Sequence, residues 1–112
     1  MIKFNIYNDK SGISFETHLE NLNQNQRKIL IELRNFVRSI GSNIVEDIRP
    51  HRIVYSKTLV FRNFLDVQPS IDELIITTRK NRKEIPIIHK ISNKQDFENL
   101  KQEIINAYEN IK

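Results

Sequence analysis

Between residues 43 and 91 the chain repeats one theme five times: a short run of alternating apolar and polar residues, then a connection of a few residues. The runs are Asn43 to Ile48, Arg52 to Ser56, Leu59 to Gln68, Leu74 to Arg79 and Ile85 to Ile91. A period of two marks half-buried strands. Parallel neighbours need crossovers of about a dozen residues or more, so connections this short dictate an antiparallel meander. Pro50, Pro69 and Pro86 fall at turns, strand starts or an edge, where a missing N–H is tolerated.

Two helical patterns bracket the meander. Ile29, Leu30, Leu33, Phe36, Val37 and Ile40 recur at helical spacing and predict a helix from Gln24 to Ile40. Asn23 with Gln26 offers a capping box at its start, and Gly41 a left-handed residue at its end. Phe97, Leu100, Ile104, Tyr108 and Ile111 form the stripe of a second helix, opened by Ser92 with Gln95 and with Asp96 in the first turn. Ahead of both, Ile2, Phe4 and Ile6 alternate as a further strand, and Phe15 to Leu22 reads as a short helical turn. Each helix has one apolar stripe, so both are expected on one face of the sheet, in a two-layer α+β domain spanning residues 1–112.

Charge is unevenly distributed. The whole chain carries +4, yet Arg49 to Lys90 alone holds nine Lys/Arg against four acids, a net of +5. A basic strand region suits an acidic partner such as nucleic acid. The absence of cysteine excludes disulfides, thiolate catalysis and Cys-ligated zinc. With no apolar run of membrane-spanning length and no signal-like core in MIKFNIYNDK, a soluble cytoplasmic protein without membrane contact is expected.

The hairpin RIVYSKTLVFRNFLDV, residues 52–67, concentrates the functional question. Strict alternation sends Ile53, Tyr55, Leu59, Phe61, Leu65 and Val67 toward the helices. The same rule sends Arg52, Val54, Val60, Arg62 and Phe64 to the opposite face, joined by Arg79, Lys80, Arg82 and Lys83 of the segment TTRKNRKEIP. Arginines beside an exposed aromatic suit phosphate pairing with base stacking. They equally suit a homodimer through the sheet face, centred on Phe64 and Val60. Solvated apolar and basic residues are the plain alternative.

Three segments resemble an uncharacterised family of small domains, found alone or at the C-terminal end of proteins labelled predicted transport proteins. They are SFETHLENLNQNQRKILIELRNFVRSIG, the hairpin RIVYSKTLVFRNFLDVQP, and SNKQDFENLKQEIINAYENI with its Ala107-Tyr108 pair. The resemblance implies a shared fold more than an activity; no catalytic residue is established for the family, so none is carried over. The turn Ser56-Lys57-Thr58 departs from it in lacking glycine, and the connection Asn81 to Ile85 in being short.

Enzyme signatures are sparse. With only Gly12 and Gly41 there is no glycine-rich phosphate loop, and no nucleophile elbow or paired zinc-ligand motif occurs. His89 lies between Ile87 and Ile91 on an apolar face and is expected to be buried with one hydrogen bond; His51 sits in a turn and His18 supports the short helix. Asp66, Asp72, Glu73 and Lys80 could be read as a metal-dependent nuclease core, or as turn acids. The leading expectation is a binding module with no cofactor, holding nucleic acid or an acidic protein through Arg52, Arg62, Phe64, Arg79, Lys80, Arg82 and Lys83.

Overall fold

The computed structural model describes residues 13–58, 62–81 and 83–111. The expected N-terminal strand lies outside them, as do Leu59, Val60, Phe61 and Arg82. Helix α1 (Phe15–Leu19) is fixed by a capping box, in which the Ser14 hydroxyl accepts from the Thr17 N–H and the Thr17 hydroxyl accepts from the Ser14 N–H. Helix α2 (Gln24–Ser39) starts at Asn23, whose Oδ1 accepts from the Gln26 N–H at 2.8 Å. The Gln26 side chain does not close the expected box. Its Nε2 donates to the Ser92 carbonyl at 2.8 Å, tying α2 to the approach of the last helix.

That helix, α3 (Lys94–Asn110), begins one residue later than the sequence indicates. Asn93 is the cap, accepting from the Asp96 N–H at 2.8 Å. Ser92 is a junction instead: its carbonyl takes bonds from Asn25 and Gln26, and its N–H donates to the Asp96 carboxylate.

The five strands are β1 (Ile44–Ile48), β2 (Ile53–Lys57), β3 (Arg62–Pro69), β4 (Leu74–Thr78) and β5 (Ile87–Ile91). They pair antiparallel in sequence order, the expected meander, in an open sheet. Ile48, Ile53, Val67, Ile76 and His89 make one cross-strand row, and Leu74 with Ile91 another. These rows face α2 and α3, where Leu30, Leu33, Val37, Phe97, Leu100 and Ile104 close the core. The edge-to-face rings of Phe36 and Phe97, 6.1 Å apart, join the two helices. Both helices therefore cover one face, and the described helices leave the other uncovered.

One irregularity redirects part of the sheet. Tyr55 pairs with Leu65, but Ser56 pairs with Asn63, so Phe64 is an extra residue in β3. A bulge of this kind lets two consecutive side chains share a side. Phe64 and Leu65 are accordingly both buried, at 0% and 1% exposure, and Phe64 meets the Tyr108 ring edge-on at 5.4 Å. The placement of Phe64 on the outer face, drawn from strict alternation, is thus corrected. Arg62 moves with it. It pairs with Lys57, whose ammonium lies over Tyr108 and donates to the Ile111 carbonyl, so the pair belongs to the helix side.

Gly41 also has a different reason from the one expected. Its backbone is not left-handed; the ring of Tyr108 occupies the space that a Cβ would need. Tyr108 donates to Asn43 and packs on Phe64, so glycine is required for close approach.

Glu46 pins α2 to β1. Its carboxylate is only 10% exposed and accepts two bonds from Arg34 at 2.8 and 2.9 Å, one from Tyr55 at 2.8 Å, and one from Arg38 at 3.3 Å. Burial, reinforced by the Glu46 charge, pushes the Tyr55 hydroxyl pKa far above its ordinary value. For Arg34, burial works against the charged form, but the hydrogen bonds and charge of Glu46 outweigh it and raise its pKa. Arg34 also stacks over Phe15 at 4.1 Å, which seats α1.

Candidate functional site

The outer face is built from the alternate positions of each strand. Asp47, Val54 and Asp66 form one cross-strand row, and Asp66 continues to Thr77 and Ile88. Arg49 binds Asp47 at 2.8 Å and Arg52 binds Asp66 at 3.0 Å. Val54 lies between these ion pairs at 1% exposure, so it offers no apolar contact surface, contrary to the sequence expectation. Exposed ion pairs of this type contribute little stability and leave their arginines available for exchange to a stronger anion.

Arg79 extends this face. It follows β4 in register, its N–H donates to the Phe64 carbonyl at 3.0 Å, and it lines a small hollow with Asn63, Asp66 and Thr77. Asn81 then shapes the loop, its Oδ1 accepting from the N–H groups of Lys83 and Glu84, both at 2.8 Å. This Asx turn replaces the glycine that a tight loop would otherwise use. Lys83 is exposed, while Lys80 is half-buried with its ammonium 3.8 Å from Glu103, itself bonded to Thr78. Among the described residues, no carboxylate pairs with Arg79, Lys83 or Lys90.

Of the residues singled out from sequence, Arg52, Arg79 and Lys83 therefore stand toward solvent. Lys80 is engaged by Glu103, Arg62 lies on the helix side, Phe64 is core, and Arg82 is outside the described residues. No described aromatic side chain replaces Phe64 on the outer face. A dimer centred there on Phe64 is likewise ruled out by its burial.

The acids of the nuclease alternative do not converge with Lys80. Asp66 is committed to Arg52 on β3, whereas Asp72 and Glu73 form the turn before β4 and Lys80 follows its far end. A five-residue strand separates them by about 17 Å. No group of three or more metal-ligating side chains occurs among the described residues.

Sequence reasoning also missed a cleft at the opposite end of the sheet. It measures about 330 Å³ and is lined by His18, Asn21, His51 and Gln68 beside Pro50, Pro69 and Ile71. The His18 Nε2–H donates to the Arg49 carbonyl at 2.8 Å. His89, expected to make one hydrogen bond, has a buried Nε2 without a partner.

No helix among the described residues is long and apolar enough to cross a membrane. Comparison with models of known families, with curated protein sequences and with solved structures finds no match.

Proposed function

We propose that this chain is a non-catalytic binding module that holds a polyanion, nucleic acid in the first place, through phosphate contacts to Arg79 and Lys83 with Arg52. The observation that supports this is the exposure of Arg79 and Lys83 without carboxylate partners, beside a face whose remaining arginines sit in exchangeable surface pairs. Base stacking on Phe64 is not part of the proposal, because that ring is in the core.

Contacts to phosphate alone position a strand without reading its sequence. Binding should therefore be sequence-independent and steeply salt-sensitive. Three cations on a single strand predict a slope of about −2 in log K against log salt. Titration of a labelled oligonucleotide at several salt concentrations measures it, and Arg79→Glu with Lys83→Glu should abolish binding. A flat salt response refutes the reading. Binding to poly-glutamate but not to oligonucleotide would move the proposal to an acidic protein partner.

A further inference from the structure

Four polar side chains border one small hollow beside the bulge of β3: Asn63 and Asp66 on that strand, Thr77 on β4, and Arg79 just after it. Two contacts fix the arrangement. Asp66 pairs with Thr77 across the ladder, and the Arg79 N–H donates to the carbonyl of the bulged Phe64 at 3.0 Å. Bulges commonly re-aim side chains next to functional sites. The hollow measures about 60 Å³, the liquid volume of about two waters, so it takes a single group and not a whole ligand.

Its free polar atoms are almost all donors. The Ser56 hydroxyl donates to Asn63 Oδ1 at 2.6 Å, and the Asn63 Nδ2 donors have no partner among the described residues. The Thr77 hydroxyl and the Arg79 guanidinium have none there either. The acceptor on the wall is the Asp66 carboxylate, whose charge is offset by Arg52 at 3.0 Å. Two guanidinium groups against one carboxylate leave the hollow net positive. A guanidinium, an amide and a hydroxyl around one small space are the complement of an oxyanion.

We infer that the hollow seats a phosphate monoester, the terminal phosphate of a nucleic-acid strand. Asn63, Thr77 and Arg79 supply three donor groups, and a terminal phosphate has three non-bridging oxygens to receive them. An internal phosphodiester has two, and its sugars block it on both sides. The monoester also carries close to two negative charges at neutral pH, against one for the diester, which strengthens the contact to Arg79. Lys83 and Arg52 are left for the phosphates that follow along the strand. The strand is the one held by the basic face, so the source of the phosphate rests on that proposal, whereas the seat itself does not.

Fluorescence anisotropy with an internally labelled oligonucleotide, phosphorylated at its 5′ end, at its 3′ end or at neither, tests the inference at one fixed low salt concentration. At least one phosphorylated strand should bind about tenfold tighter than the strand without a terminal phosphate, the scale of a hydrogen bond to a charged group. Thr77→Val exchanges the hydroxyl for a methyl at a strand position that favours β-branched residues, so circular dichroism should be unchanged. It should cut the preference at least about threefold and leave the unphosphorylated strand's affinity as it was. Asn63→Asp keeps the acceptor for Ser56 but replaces the donors by a second carboxylate, and should erase the preference. Equal affinity for all three strands overturns the inference and leaves the polyanion proposal standing. So does a preference that both variants leave intact. Adenosine monophosphate serves as the free small-molecule source of the same group. If it binds, and Asn63→Asp abolishes this, while no strand binds, the seat stands and the strand as its source is overturned. If neither the nucleotide nor any strand binds, both proposals fail.

Discussion

Replacing Phe64 by alanine separates the two placements that this residue could have had. On an outer sheet face the change would cost little, since substitutions of surface residues usually stay within about 0.5 kcal/mol. In the structure Phe64 is fully buried, occupies the bulge of β3 and presents its edge to Tyr108 at 5.4 Å. Truncating a buried phenylalanine to alanine costs about 3–5 kcal/mol, and the lost ring pair falls within that figure. A domain of this length has a total stability of about 6–17 kcal/mol, so the variant keeps a folded state with a large deficit. At about 4 °C per kcal/mol for this size, Tm should fall by about 12–20 °C. Urea unfolding followed by circular dichroism gives the free energy directly. The midpoint should move and the slope should not. Phe64→Leu, which refills most of the space, should recover more than half of the loss. A deficit below about 0.5 kcal/mol would place the ring outside the core and refute the bulge as the cause of its burial.

Glu46→Gln should cost about 2–3 kcal/mol, less than a fully buried pair because Arg34 keeps about a fifth of its surface in solvent. Tyr55→Phe should cost about 1–2 kcal/mol by removing a bond to a charged acceptor. It should also flatten the alkaline limb of stability. The unfolded chain ionises tyrosine near pH 10 while the folded chain still holds the Tyr55 proton, so stability present below that pH is lost above it. Denaturant midpoints between about pH 8 and pH 11 give the difference between the two proteins. Gly41→Ala should cost about 1–3 kcal/mol by displacing the Tyr108 ring, and the cost should largely vanish when Tyr108 is also changed to alanine. Asn93→Ala should cost about 1 kcal/mol by removing the cap of α3, whereas Ser92→Ala should cost less, since the bonds there use the Ser92 backbone.

The architecture was legible because it depends on periodicity and connection length. The helix stripes, five strands and meander order emerged from those two signals, with strand ends displaced by one residue at β1, β2, β4 and the end of β3, and by two at the start of β5. The face assignments were less secure, because one extra residue in β3 reverses the parity of everything before it. Nothing in the local string NFLD distinguishes a bulge from regular alternation; the decision belongs to Tyr108, more than forty residues away. Glu46 carried a partial signal as a carboxylate between Ile44 and Ile48 on an apolar strand face. Its partners on α2 could not be named without the packing. The basic loop was visible as composition, but which of its charges remain available depended on Glu103 and Asp66 meeting Lys80 and Arg52.

The bulge also has a consequence for chain length. Deleting Phe64 would join Asn63 directly to Leu65, and the ladder Tyr55–Leu65, Ser56–Asn63 would become regular with both neighbours still facing as they do now. The backbone pairing is therefore indifferent to a one-residue gap at this position, while the space beside Tyr108 is not. A relative with a hairpin one residue shorter could keep every strand partner and the same outer surface, yet would have to fill that space from elsewhere. In an alignment the site would look like a tolerated gap in a sheet. In the folded molecule it is where a length change becomes a volume change.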